Sequence, residues 1–187
     1  MTKQTHLRTS GLESNNNISF PVGTSIAVKT YSQKLGFDEI SSRYKKRGVD
    51  LVRLVEALIT YRLTENQSIC RASDWINRPD VLQQFNLDEF EERTLFRAFE
   101  ITGDDYEEII LLIQNSIFSQ YEFPHTDLNM DWTSFVLWGK KAELGKYGYS
   151  RAHRPDKKQI TVGISQLRAP MNIPIGLTIQ SGNVNDQ

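Results

Sequence analysis

At Leu128-Asn129-Met130-Asp131-Trp132-Thr133 the chain changes its period. Leu128, Met130 and Trp132 alternate with Asn129, Asp131 and Thr133, as in a β-strand with one apolar and one polar face. Asp131 falls on the polar face of this strand. Two further alternating runs follow, Ile160, Val162 and Ile164, then Ile173, Ile175, Leu177 and Ile179. Arg168-Ala169-Pro170 lies between them, a turn too short for a crossover, which implies an antiparallel pair.

Upstream of Pro124 the spacing is helical. Leu51, Leu54, Val55, Leu58 and Ile59 form one apolar stripe behind a candidate N-cap at Asp50. Ser68 is placed to cap a shorter helix with Ile69, Ala72, Trp75 and Ile76, and Pro79 suits the first turn of another through Val81, Leu82 and Phe85. Asp88 and Glu91 have the spacing of a capping box ahead of Leu95, Phe96 and Phe99, with a break expected at Gly103. Asp104 and Asp105 would open a second long helix; its run Ile109 to Ile113 also suits a buried strand, but length and the acidic start favour helix. Three short helices with tight links admit a helix-turn-helix or a plain bundle, and bundle is the more common outcome.

These patterns give an α+β chain: a tail over 1–26 that includes Asn15, Asn16 and Asn17, a helical domain over 27–122, and three strands within 123–187. At 187 residues with 39% hydrophobic residues it can build a real core. A three-stranded sheet with one apolar face needs covering, and a chain that stops soon after the third strand is expected to leave a face or an edge exposed. The sole cysteine, Cys70, excludes an internal disulfide and is expected to be a buried structural thiol. No apolar run reaches membrane-span length and no signal sequence is evident, so no membrane partner and a cytoplasmic location are expected.

Net charge is only -1, but the charges are segregated. Residues 80–110 hold ten acidic and two basic side chains, the pattern of solvated helix faces and caps. Residues 140–158 hold seven basic and two acidic ones. Lys140, Lys141, Lys146, Arg151, Arg154, Lys157 and Lys158 are interleaved there with Tyr147, Tyr149 and His153. Two readings compete on equal terms: a solvated strand connection, or a nucleic-acid surface in which cations meet phosphates and rings stack on unpaired bases. Arg43, Lys45, Lys46 and Arg47 form a smaller cluster that equally suits a helix C-terminus. Phosphate-binding Gly-rich loops, Gly-x-Ser-x-Gly elbows and His-Glu-x-x-His helices are absent from the sequence.

Asn129-Met130-Asp131-Trp132-Thr133, Leu144-Gly145-Lys146-Tyr147-Gly148-Tyr149-Ser150-Arg151, His153-Arg154-Pro155-Asp156-Lys157-Lys158-Gln159 and Gly182-Asn183-x-x-Asp186, in this order, resemble prokaryotic insertion-sequence transposases of the DDE type. Leu35-Gly36-Phe37 and Trp75-Ile76-Asn77-Arg78-Pro79 are similar to the N-terminal region of such proteins, so the resemblance covers most of the chain. The chain departs from the family pattern at Ala152, where an acidic residue is more usual, and at Tyr149, where His is common.

The resemblance implies that the strands begin an RNase H-like catalytic core, truncated here. Asp131 then corresponds to the first of three DDE carboxylates and is a metal ligand. Lys140, Lys141, Lys146, Tyr149, Ser150, Arg151, Arg154, Lys157 and Lys158 are the expected DNA contacts. The implied function is DNA-mediated transposition, with element ends and target DNA as partners and a homo-oligomer or full-length transposase as a protein partner. The implied chemistry is two-metal phosphoryl transfer with Mg²⁺. Asp186 sits where a helix cap is expected, and the second Asp and the Glu have no counterpart in the sequence. Weak Mg²⁺ binding at Asp131 and no unaided cleavage are therefore expected, the alternative role being a non-catalytic DNA-binding or interaction module.

Overall fold

The computed structural model describes residues 22–44, 48, 50–123, 127–139, 141–148, 153–168, 172–182 and 184. Within them the chain is α+β. Seven helices, α1 (Gly23–Lys34), α2 (Phe37–Ser42), α3 (Leu51–Thr64), α4 (Ile69–Ile76), α5 (Pro79–Phe85), α6 (Glu92–Asp104) and α7 (Tyr106–Gln120), precede three strands. The strands β1 (Leu128–Leu137), β2 (Lys158–Leu167) and β3 (Ile173–Ser181) form one antiparallel sheet in the order β1-β2-β3.

Local chemistry sets most of the helix starts. Asp50 accepts hydrogen bonds from the Val52 and Arg53 amides, satisfying two donors that the first turn of α3 leaves open. Ser68 does the same for Arg71 in α4, and Pro79 occupies the first turn of α5, where its missing N–H costs nothing. Asn77 closes α4 and clamps the chain ahead of α6, its amide donating to the Phe90 carbonyl at 2.8 Å and accepting from the Phe90 N–H at 3.0 Å. Tyr61, Phe85, Leu54, Ile76 and Leu95 are the large side chains most fully enclosed in the helical core, each contributing roughly 2 kcal/mol of apolar burial.

Helix α7 joins this core to the sheet. Ile109, Leu112 and Ile113 pack against the helical core, while Ile110, Gln114 and Ile117 line a cleft shared with Ile175 and Leu177 of β3. The unbroken apolar run from Ile109 to Ile113 thus belongs to a helix with partners on two sides, which needs apolar groups around most of its circumference.

The structure departs from several expectations. Helix α1 begins at Gly23, inside the stretch assigned to the tail; residues 1–21 lie outside the described residues. Asp88 does not cap α6: the helix starts at Glu92, and its N-cap Glu91 makes no side-chain capping bond. The break expected at Gly103 comes one residue later, with the helix ending at Asp104 and α7 starting at Tyr106. Ile59 is exposed although it continues the spacing of the α3 stripe. Cys70 is exposed rather than buried, and a hydrogen bond to Glu92 raises its thiol pKa. The acidic residues from Asp88 to Glu108 are exposed, as expected for solvated helix faces. Among the described residues no helix is long and apolar enough to cross a membrane.

Candidate nucleic-acid interface

The sheet register fixes where each candidate side chain stands. Asp131 lies opposite Ile164, which lies opposite Leu177. Along β1 the neighbours of Asp131 on the same face are Asn129 and Thr133, a polar row as read from this strand alone. Across the sheet, however, the face continues through Ile160, Val162, Ile164, Leu177 and Ile179. Asp131 is therefore an exposed carboxylate at the border of an apolar face, not a member of a polar one. The reason is antiparallel pairing, which gathers cross-strand partners on one face whatever their polarity.

This donor set does not fit a Mg²⁺ pair. Its cross-strand partner is aliphatic, and among the described residues no group of three or more His, Cys, Asp or Glu is arranged to hold a metal ion. Mg²⁺ binds through carboxylates and substrate phosphates with octahedral geometry, and one carboxylate supplies neither two-metal bridging nor a closed shell. Asp186 lies outside the described residues.

The basic stretch converges elsewhere. Its first part turns at Gly145, whose N–H donates to the Ala142 carbonyl, and a Cβ there would stand 2.9 Å from the Leu137 side chain. Lys146 then pairs with Gln159 through two backbone hydrogen bonds, N to O at 3.1 Å and 2.9 Å, which ties the loop to β2. Its second part is a β-turn, Arg154-Pro155-Asp156-Lys157, closed by the Lys157 N–H on the Arg154 carbonyl at 3.1 Å. Pro155 presets the backbone angle that the second position of such a turn requires.

That turn puts two cations against one ring. Arg154 Cζ lies 5.1 Å and Lys157 Nζ 4.9 Å from the centre of the Trp138 ring, at the exit of β1. Asp156 holds Arg154 in a fork, Nε to Oδ1 at 2.8 Å and Nη2 to Oδ2 at 2.9 Å, with Lys157 Nζ 3.9 Å from Oδ2. The hydrogen bond from Arg154 lowers the Asp156 pKa to about 2 and raises that of Arg154. Lys158 pairs with Leu137 in the adjacent register position. Tyr147 is 62% and Trp138 73% exposed.

The structure thus brings Arg154, Lys157 and Lys158 to one corner, with Lys146 anchored beside it and Lys141 exposed in the connecting loop. Asp131 is not among them. It is separated from Trp138 by seven residues of extended chain, about 23 Å at the rise of a strand. Lys140, Tyr149, Ser150 and Arg151 lie outside the described residues. Trp138 is the residue that sequence reasoning missed. Its signal was present: a large aromatic directly after the strand, opening the basic stretch.

Among the described residues that line the cleft of about 550 Å³ between α7 and β3, Glu107 is the one acidic side chain, set among mainly apolar neighbours such as Ile110, Leu111 and Leu177. Comparison of the chain with protein-family models, with curated proteins and with solved structures found no match.

Proposed function

We propose that this chain engages DNA in the transposition of an insertion sequence, as a portion of a DDE-type transposase whose described residues bind DNA but do not cleave it. The observation that carries the DNA-binding reading is the corner at the exit of β1, where Arg154 and Lys157 lie against an exposed Trp138 and Lys158 pairs with the preceding Leu137. Cations gathered beside an exposed ring suit a phosphate backbone, and Asp156 orders two of them. The ordered motifs, the meander β1-β2-β3 and an exposed Asp131 on its first strand support an RNase H-like reading of the sheet. Among the described residues no group of carboxylates is arranged with Asp131 to hold a metal pair, which supports the non-cleaving part of the proposal.

Salt-dependent binding to element ends and to unrelated duplex tests it. Binding should weaken linearly on a log–log plot, and each of Lys146→Ala, Lys157→Ala and Lys158→Ala should reduce the slope by about one. Asp131→Ala should leave the binding curve unchanged. Absence of binding at low salt refutes the reading. Specific nicking of supercoiled DNA with Mg²⁺ or Mn²⁺ that disappears in Asp131→Ala refutes its non-cleaving part.

A further inference from the structure

Trp138 is 73% exposed, more than Leu63 at 67% or Tyr147 at 62%. An indole left in water forfeits a large apolar burial, so a position this open needs another reason. The cations beside it are not spread around the ring. Arg154 Nη2 and Lys157 Nζ approach the same Asp156 oxygen, at 2.9 Å and 3.9 Å. This ties them closer together than two cations centred over opposite faces could be, which would be about 10 Å apart at these ring distances. Both are therefore held by one carboxylate beside the ring, and at 73% exposure much of the ring surface stays open to solvent.

We propose that the outward face of Trp138 is a stacking platform for an unpaired nucleobase, with Arg154 and Lys157 receiving the phosphates beside it. The inference rests on the DNA-binding reading and narrows it to a substrate class. In a duplex both faces of every internal base are covered by neighbouring pairs, so an exposed ring gains a partner only where a strand is single, frayed or splayed. Every base has a π-face, so the platform is indifferent to sequence. Asp156 orders the two cations before the strand arrives.

The test uses the full chain and three fluorescent DNA probes: a blunt duplex, the same duplex with a short unpaired 3′ extension, and the extension strand alone. Anisotropy should show tighter binding of the two probes that carry unpaired bases, with saturable quenching of tryptophan emission. In Trp138→Ala the preference over blunt duplex should fall about tenfold and the quenching should be lost, whereas Trp138→Phe should keep most of the preference. Thermal melts of both variants establish that they fold. Equal affinity for blunt and extended probes, or a preference that survives in Trp138→Ala, overturns the platform while leaving DNA binding intact. Failure to bind any probe at low salt removes both proposals.

Discussion

Trp132 lies across Gly163, its partner in the β1–β2 register: a Cβ at Gly163 would stand 2.7 to 2.9 Å from three atoms of the indole ring. The glycine is what lets a large ring lie over the middle strand of the sheet. Gly163→Ala should therefore destabilise the protein by about 1 to 3 kcal/mol, because the ring must move or β2 must bend. Trp132→Leu should recover part of that loss when combined with Gly163→Ala, since the two positions share the same space. Urea unfolding of the four-member cycle measures both. Additive single effects would show that the contact does not limit the packing.

Sequence periodicity revealed the sheet almost whole because alternation is a property of a single strand, and each of β1, β2 and β3 carries it within nine or ten residues. The face on which Asp131 stands was hidden because it depends on register, a relationship between Asp131 and Ile164 that neither strand encodes alone. Caps were legible at Asp50 and Ser68, where a short polar side chain precedes an apolar period. At Asp88 the same spacing misled, because Phe90 is held by Asn77 and the helix starts only beyond it. The basic stretch was visible as composition. Its convergence on Trp138 was not, since it depends on the turn at Pro155 folding Arg154 back onto a ring sixteen residues earlier in the chain.

Asn77 offers a donor and an acceptor to the backbone of Phe90, as a neighbouring strand would. Phe90 is buried, so removing the amide leaves an N–H and a C=O with little access to water. Asn77→Ala should cost about 2 to 3 kcal/mol in chemical denaturation, above the average for a surface polar residue. Asn77→Asp keeps the acceptor for the Phe90 N–H and loses the donor, so it should also destabilise. A value near zero for Asn77→Ala would mean that water or a shifted backbone replaces the clamp.

Glu56 is buried on α3 with a side chain only 2% exposed, and Arg53 meets its Oε2 at 2.9 Å from a position 29% exposed. Removing the cation alone strands a buried carboxylate, so Arg53→Ala should lose about 3 kcal/mol. Replacing both charges with apolar groups, Arg53→Met with Glu56→Leu, removes the desolvation cost together with the attraction and should return close to wild-type stability. Denaturation of the single and double variants distinguishes this from a packing effect of the Arg53 stem, which the double variant would not restore if the stem made a unique contact.

The Arg154–Asp156 fork predicts a definite pH window. Hydrogen bonding from Arg154 holds the Asp156 pKa at about 2, below the roughly 3.9 of an unfolded chain. A depressed carboxylate pKa means that the contribution of the pair is fully present above about pH 4 and is lost as pH falls toward 2. Both side chains are well exposed, so the effect on global stability is small and shrinks with salt. The local readout is sharper: the Asp156 carboxyl carbon, followed by NMR, should titrate near 2 in the wild type and move up toward 4 in Arg154→Ala. The same variant leaves Lys157 on Asp156, so any pH dependence of Trp138 emission should move up together with the midpoint of the carboxyl. A wild-type midpoint already near 4 would mean that the fork does not persist in solution, and that the cations are not ordered before DNA arrives.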